Sequence, residues 1–186
     1  MNKYLVIGNP IAHSLSPLLH NYWFKKYKFF DSIYEKKKVE KKDLKKIVEQ
    51  IKNDEVKGVN VTVPFKREIF NFIDTAPYEV QFTKSVNTLV KENDKVVGYN
   101  TDQQGFEISL EENDWDCKDK KILIIGAGGV TPSILSTFIK ADGAEKIYLS
   151  NRTRSKAEEL KKFWDKALGI YQMKKDTIEI IDWGKK

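Results

Sequence analysis

Cysteine occurs once in the 186 residues, as Cys117, so an internal disulfide and any cysteine-rich metal cluster are excluded. Histidine is nearly as scarce. His13 and His20 lack partners at metal-ligand spacing, and no metal site is expected. Long hydrophobic runs are missing too: the longest reach only about five to seven residues, far short of a membrane-spanning helix. The N-terminus "MNKYLVIGNP" meets a Gly-Asn-Pro turn before the apolar region of a signal peptide could form. These absences point to a cytoplasmic chain with no membrane partner.

Charge of one sign is not in command either. The net charge is +6, but 27 acidic residues are interspersed among 33 basic ones. The densest basic run, "EKKKVEKKDLKK" from Glu35 to Lys46, contains acids and reads as a solvated strand end and helix face. No recognised nucleic-acid motif accompanies it, so no nucleic-acid partner is expected. Binding of anionic small molecules explains the excess equally well.

What is present suffices for a packed core: 40% hydrophobic residues, 12% aromatic. Strand-like and helix-like segments alternate. "KYLVIG" reads as a buried strand. "SPLLHNYWFKKY" reads as a helix with Ser16 as N-cap and Pro17 at the first helical position. "DSIYEKKKV" suits a strand, "KKDLKKIVEQIK" a helix, "KGVNVTVP" a strand and "FKREIFNFI" a helix. "SVNTLVKENDKVVGYNTD" reads as a hairpin turning at Asn93-Asp94, and "TDQQGFEISLEEN" as a bridging helix.

From Asp119 the pattern restarts: strand "KKILIIG", helix "TPSILSTFIKAD", strand "KIYLSNR", helix "SKAEELKKFWDKAL", strand "TIEIID". The fold class is therefore α/β, with an N-terminal α/β substrate domain followed by a partial Rossmann-type domain. The expected division is 1–102, a bridging helix and linker over 103–118, and 119–186.

"ILIIGAGGVTPS" places Gly126, Gly128 and Gly129 between a strand and a helix, where bare backbone lets a pyrophosphate approach amides at the helix N-terminus. Thr131 stands where the dinucleotide pattern has its third glycine. A tight turn in an ordinary α/β domain is the alternative. The next strand ends "SNRTRSK" without the acid that would accept a ribose 2′-hydroxyl. Arg152 and Arg154 are instead suited to a 2′-phosphate, favouring NADP over NAD, unless they are simply solvated at a helix start.

The first half presents Asn60, Thr62 and Lys66 around Pro64, Asn87 in "SVNTL", and Asn100, Thr101 and Asp102 in "GYNTD". Amides, hydroxyls, one ammonium and one carboxylate at strand ends suit a polyhydroxylated acid. Taken singly, each also suits an ordinary turn or strand position. "HSLSP" adds two hydroxyls, Ser14 and Ser16, which can hold an anion by donation without a buried cation.

The blocks "VIGNPIAHSLSP", "NVTVPFK", "VNTL", "NTD" and "IGAGG…NRT" occur in the order seen in shikimate dehydrogenases, and the chain resembles that family from Tyr4 to about Leu160. The resemblance implies reversible NADPH-dependent reduction of 3-dehydroshikimate to shikimate, within aromatic amino-acid (chorismate) biosynthesis. It implies that Ser14 and Ser16 bind the substrate carboxylate, that Asn60, Thr62, Asn87 and Asp102 hold ring hydroxyls, and that Lys66 is the proton-transfer residue with Asp102 beside it. It further implies that Gly126, Ala127, Gly128, Gly129 and Val130 cradle the pyrophosphate, and that Asn151, Arg152, Thr153 and Arg154 contact the adenosine 2′-phosphate. Family members are longer, so this chain is expected to lack their C-terminal third. Two alternatives are a non-catalytic shikimate- and NADP-binding module and a quinate/shikimate dehydrogenase. A monomer or homodimer is expected.

Overall fold

The computed structural model describes residues 1–139, 143–170 and 176–184. The chain divides into two compact units, 1–101 and 102–186.

The first unit is a five-stranded sheet with spatial order β2-β1-β3-β4-β5. The strands are β1 (Asn2–Gly8), β2 (Ser32–Lys38), β3 (Gly58–Val61), β4 (Thr88–Glu92) and β5 (Lys95–Tyr99). β1 runs parallel to β2 and β3, whereas β4 is antiparallel to both β3 and β5. The carboxyl ends of β1, β2, β3 and β5 and the amino end of β4 therefore share one edge. Helix α1 (Ser16–Lys26) follows β1 and α2 (Leu44–Lys52) follows β2, the right order for parallel crossover units.

Alternation along the strands decides which side chains enter the core. Leu5, Ile7, Val59 and Val61 face α2, whose Leu44, Ile47, Val48 and Ile51 recur at helical spacing and are all buried. Each such side chain contributes about 1.5–3 kcal/mol relative to exposure. Val6, Ile11 and Tyr34 form a smaller cluster, with Tyr4 and Phe24 packed against it. The β4–β5 hairpin turns where expected: Asn93 (φ 48°) and Asp94 (φ 61°) are both left-handed, as a two-residue turn of this hand requires.

Two expectations are corrected here, and one element is added. Helix α1 begins at Ser16 itself, with Leu15 in the cap position, so Pro17 is its second residue and Ser16 is not the N-cap. The hydroxyl oxygen of Ser14, not Ser16, accepts the Ser16 amide N–H at 3.3 Å. "FKREIFNFI" is not an α-helix: tight turns lead to one 3-10 turn, Ile69–Asn71. Phe65 and Ile69 are buried while Phe70, Phe72 and Ile73 also pack against the core. At 100° per residue positions 69, 70, 72 and 73 spread over about 160°, wider than the stripe one helix face ordinarily buries. Finally, the sequence reading passed over α3 (Tyr78–Thr83), which buries only Val80 and Thr83 and leaves little periodic signal.

The second unit opens with α4 (Asp102–Glu111) and continues with β6 (Lys121–Ile125), α5 (Thr131–Phe138), β7 (Lys146–Ser150), α6 (Arg154–Ile170) and β8 (Ile178–Ile180). Its strands form a parallel sheet in the order β6-β7-β8. Ile147, Leu149 and Ile178 are buried with Leu135 and Phe138 of α5 and Ala157, Leu160 and Trp164 of α6. Phe106 of α4 and Trp115 both meet the Phe138 ring edgewise. Among the described residues β6 has a strand neighbour on one side only, and Leu123 and Ile125 are 53% and 67% exposed. Among the described residues, no helix is long and apolar enough to cross a membrane.

Candidate functional site

In the first unit the polar candidates gather at the shared sheet edge. Ser14 and Ser16 follow the carboxyl end of β1, Thr62 and Lys66 follow that of β3, and Asn87 precedes β4. This is where open α/β sheets present ligand-binding loops. The Ser14 loop is fixed from two sides. Ser14 N–H donates to Ile11 O at 3.1 Å, and the Lys36 ammonium donates to Ala12 O. Both serines are half-buried.

The two strand ends are held close by Gly8. A Cβ there would lie 2.7 Å from Thr62 Cγ2, a contact real Cβ atoms essentially never make, and 3.0 Å from the Val63 carbonyl oxygen, a tight one. Asn9 N–H bonds that same carbonyl at 3.0 Å, and Thr62 N–H bonds Ile7 O at 2.9 Å. Lys66 is half-buried, and its carbonyl accepts Val86 N–H at 2.8 Å, setting the Lys66 segment beside the approach to Asn87.

Asn60 and Asn87 are joined directly. The Asn60 side-chain amide donates to Asn87 O at 3.3 Å and to Thr88 Oγ1 at 3.1 Å. Its oxygen accepts the Tyr34 hydroxyl at 2.6 Å. Asn60 is thus engaged within the protein on both ends of its amide. Asn87 Oδ1 accepts from the Thr88 hydroxyl at 3.0 Å and from Thr101 N–H at 3.1 Å, while its Nδ2 donates to Thr101 Oγ1 at 2.9 Å. Burial pushes the Tyr34 phenol up to about 12 and lowers His20, which stacks on it. Asp102 opens α4 in the second unit, half-buried.

The second unit repeats the arrangement with backbone in place of side chains. The turn 126–130 follows β6 and the segment 151–154 follows β7, both at carboxyl ends of parallel strands. Gly126 has φ +120°, and a Cβ at Gly126 or Gly128 would meet nothing within 4 Å, so bare backbone faces open space. Thr131 explains how the turn manages without a third glycine. Its buried hydroxyl accepts Gly128 N–H at 3.0 Å and donates to Gly126 O at 3.1 Å. Gly126 N–H bonds Ser150 O at 2.7 Å, and Ala127 N–H bonds Asn151 Oδ1 at 3.0 Å, stitching the turn to the β7 end. Asn151 Nδ2 also donates to Thr153 O at 2.7 Å.

The two arginines differ. Arg154 pairs with Glu158 at 2.8 Å and with Asp182 beyond β8. Arg152 is exposed and makes no ion pair among the described residues. No group of three or more His, Cys, Asp or Glu suited to a metal occurs among the described residues. Sequence reasoning missed Gly8, Tyr34 and Thr88. Only Gly8 carried a signal, as a strand-terminal glycine before Asn-Pro, and Tyr34 looked like any aromatic on a lysine-rich strand.

Comparison with known proteins follows the same two units. The family model described as the shikimate dehydrogenase substrate binding domain matches residues 6–89, and the one described as shikimate / quinate 5-dehydrogenase matches residues 107–181. A shikimate dehydrogenase (NADP(+)) of Pelagibacter ubique is 47% identical over 98% of this chain and 64% of its own length. One from Caldicellulosiruptor saccharolyticus is 38% identical over 96% of this chain and 67% of its own length. The crystal structure of shikimate dehydrogenase from Aquifex aeolicus superposes with a TM-score of 0.81 at 36% identity, covering 97% of this chain and 62% of that one. The chain thus spans about two thirds of the length of these relatives. The two family models, one matching within each unit, and a relative 38% identical of whose length the chain covers 67% place the chain in the shikimate dehydrogenase family.

Proposed function

We propose that the protein catalyses the NADPH-dependent reduction of 3-dehydroshikimate to shikimate and its reverse. The observation that carries this reading is the gathering of Ser14, Ser16, Asn60, Thr62, Lys66 and Asn87 along one sheet edge, with Gly8 holding the β1 and β3 ends in contact. The two serine hydroxyls are assigned the substrate carboxylate. Thr62 and Asn87 are assigned ring hydroxyls, and Asn60 braces Asn87. Asp102 is assigned to the same substrate from the resemblance of its "NTD" block to the family.

The second unit suits the adenine dinucleotide phosphate. Open space above Gly126 and Gly128 admits the pyrophosphate to bare backbone. The turn from Gly126 to Val130, before α5, is assigned to the pyrophosphate, its shape held by the bonds of Gly126, Ala127 and Gly128 N–H to Ser150, Asn151 and Thr131. Arg152 is assigned the 2′-phosphate, with Thr153 beside it. Arg154, expected at the same phosphate, divides its guanidinium between Glu158 and Asp182 and adds no net positive charge there.

NADPH, when bound, supplies the hydride. The protein then needs one acid/base group: the Lys66 Nζ donates a proton to the ketone oxygen as that atom gains negative charge, and takes it back in the oxidative direction. The reducing cytoplasm suits the single free Cys117 and is where we place the protein.

The test pairs an NADPH-oxidation assay with 3-dehydroshikimate against calorimetric titration with shikimate, both on the 186-residue chain. Turnover together with binding is expected. Binding without turnover overturns the catalytic reading, and absence of both overturns the function.

A further inference from the structure

Tyr34 lies on β2, outside every motif that marks the family in this sequence, yet it is 4% exposed and aimed at the substrate edge. Helix α1 holds it in place. Asn21 accepts the Tyr34 amide N–H at 2.9 Å and donates to the Tyr34 carbonyl at 2.8 Å. The His20 ring stacks on the phenol with centroids 4.2 Å apart and planes 6° from parallel. So the helix that follows the Ser14–Ser16 loop fixes the phenol.

From the phenol, donors point one way through four side chains. The Tyr34 hydroxyl donates to Asn60 Oδ1 at 2.6 Å, which turns the Asn60 Nδ2 toward Thr88 Oγ1 at 3.1 Å. The Thr88 hydroxyl, having accepted from Asn60, donates to Asn87 Oδ1 at 3.0 Å. Thr101 N–H reaches the same oxygen, and Asn87 Nδ2 passes the direction on to Thr101 Oγ1 at 2.9 Å. An amide can be rotated end for end at little steric cost, and only its partners decide which end donates. Burial keeps the Tyr34 phenol protonated far above neutral pH, so it remains a donor. Aligned bonds of this kind polarise one another in a poorly solvated setting.

We propose that Tyr34 is a positioning residue of the substrate site: its hydroxyl starts a one-way hydrogen-bond relay through Asn60 and Thr88 that fixes which end of the Asn87 amide meets the substrate. The proposal rests on the reading of Asn87 as a substrate-binding residue. It connects the carboxylate end of the site, through α1, to the hydroxyl end at β4.

Tyr34→Phe removes the first donor and Thr88→Val, nearly isosteric, removes the middle link; the second carries the test if the first fails to fold. Each variant of the 186-residue chain is titrated with shikimate, and the side-chain amide resonances of Asn60 and Asn87 are recorded without ligand by nitrogen-15 correlation spectroscopy. Each substitution is expected to weaken shikimate binding about tenfold, the ordinary scale for one misdirected hydrogen bond, and to shift the Asn87 amide pair. The double variant is expected to bind no worse than the weaker single one, since both cut the same relay. Unmoved Asn87 resonances, losses that multiply in the double variant, or a lowered melting temperature with unchanged affinity would each overturn the proposal. A wild-type chain that does not bind shikimate overturns the functional reading and the substrate role of the relay with it, whereas the resonances report on the relay alone.

Discussion

The two units solve one geometric problem with different materials. Both place their polar groups at the carboxyl ends of parallel strands, but the first presents side chains that brace one another and the second presents bare backbone braced by side chains. In the first, Asn60, Thr88 and Asn87 hold each other's amides; in the second, Thr131 and Asn151 hold the amides of Gly128 and Ala127. A ring with several hydroxyls demands donors and acceptors in a particular arrangement, which only side chains supply. A pyrophosphate demands close approach and donors of one sign, which backbone supplies best.

Lys66→Ala removes the acid/base group proposed for the first unit and carries the largest expected effect. Steady-state kinetics should show kcat down by roughly two orders of magnitude or more with KM less affected. A near-normal kcat would remove Lys66 from the chemistry.

Arg152→Ala comes next and tests the second unit. Loss of a guanidinium that is exposed and uncommitted among the described residues should weaken NADP(H) binding about ten- to a hundredfold with little change for NAD(H). Equal losses for both nucleotides in a fluorescence titration would mean that the guanidinium does not read the 2′-phosphate.

Gly8→Ala sharpens the contrast by loading the first unit's backbone instead of its side chains. The added Cβ would press on Thr62 Cγ2 at 2.7 Å and the Val63 carbonyl at 3.0 Å, costing about 1–3 kcal/mol in a thermal or urea melt. An unchanged melt would show that the two strand ends can part freely.

The smallest effect lies away from both sites. The Lys52 ammonium at 2.8 Å and the Val96 amide N–H hold the Asp74 carboxyl below its usual range. A depressed carboxyl stabilises the fold above its unfolded value of about 4 and loses that contribution as pH falls through the lower folded value. For this partly exposed pair the contribution is less than about 1 kcal/mol. Asp74→Asn should therefore melt earlier than wild type at neutral pH and converge with it in acid; parallel curves at every pH would contradict the linkage.

Much of this was legible in the sequence, because periodicity and turn chemistry are local. The Asn93-Asp94 hairpin, the glycine turn after "KILII" and the helices α2 and α6 all follow from residues within one window. The start of α1 falls one residue earlier than expected, since Ser16 before Pro17 is an ordinary cap pattern and nothing local says that Leu15 takes the cap position while the Ser14 hydroxyl accepts the Ser16 N–H. "FKREIFNFI" misled because its apolar residues satisfy a helical spacing and overfill it as well. Site residue types could be read, but not their commitments: nothing along the chain says that Asn60 answers to a tyrosine twenty-six positions earlier, or that Arg154 is shared with Asp182.

Thr131 shows what an inexact motif match can conceal. Its hydroxyl grips the glycine turn from within, accepting from Gly128 and donating to Gly126, where a third glycine would offer no side chain. A protein engineer introducing that glycine to complete the G-x-G-x-x-G pattern would strip out this internal strut and leave the glycine turn slacker. Departure from the pattern at this position is a substitution of rigidity for clearance.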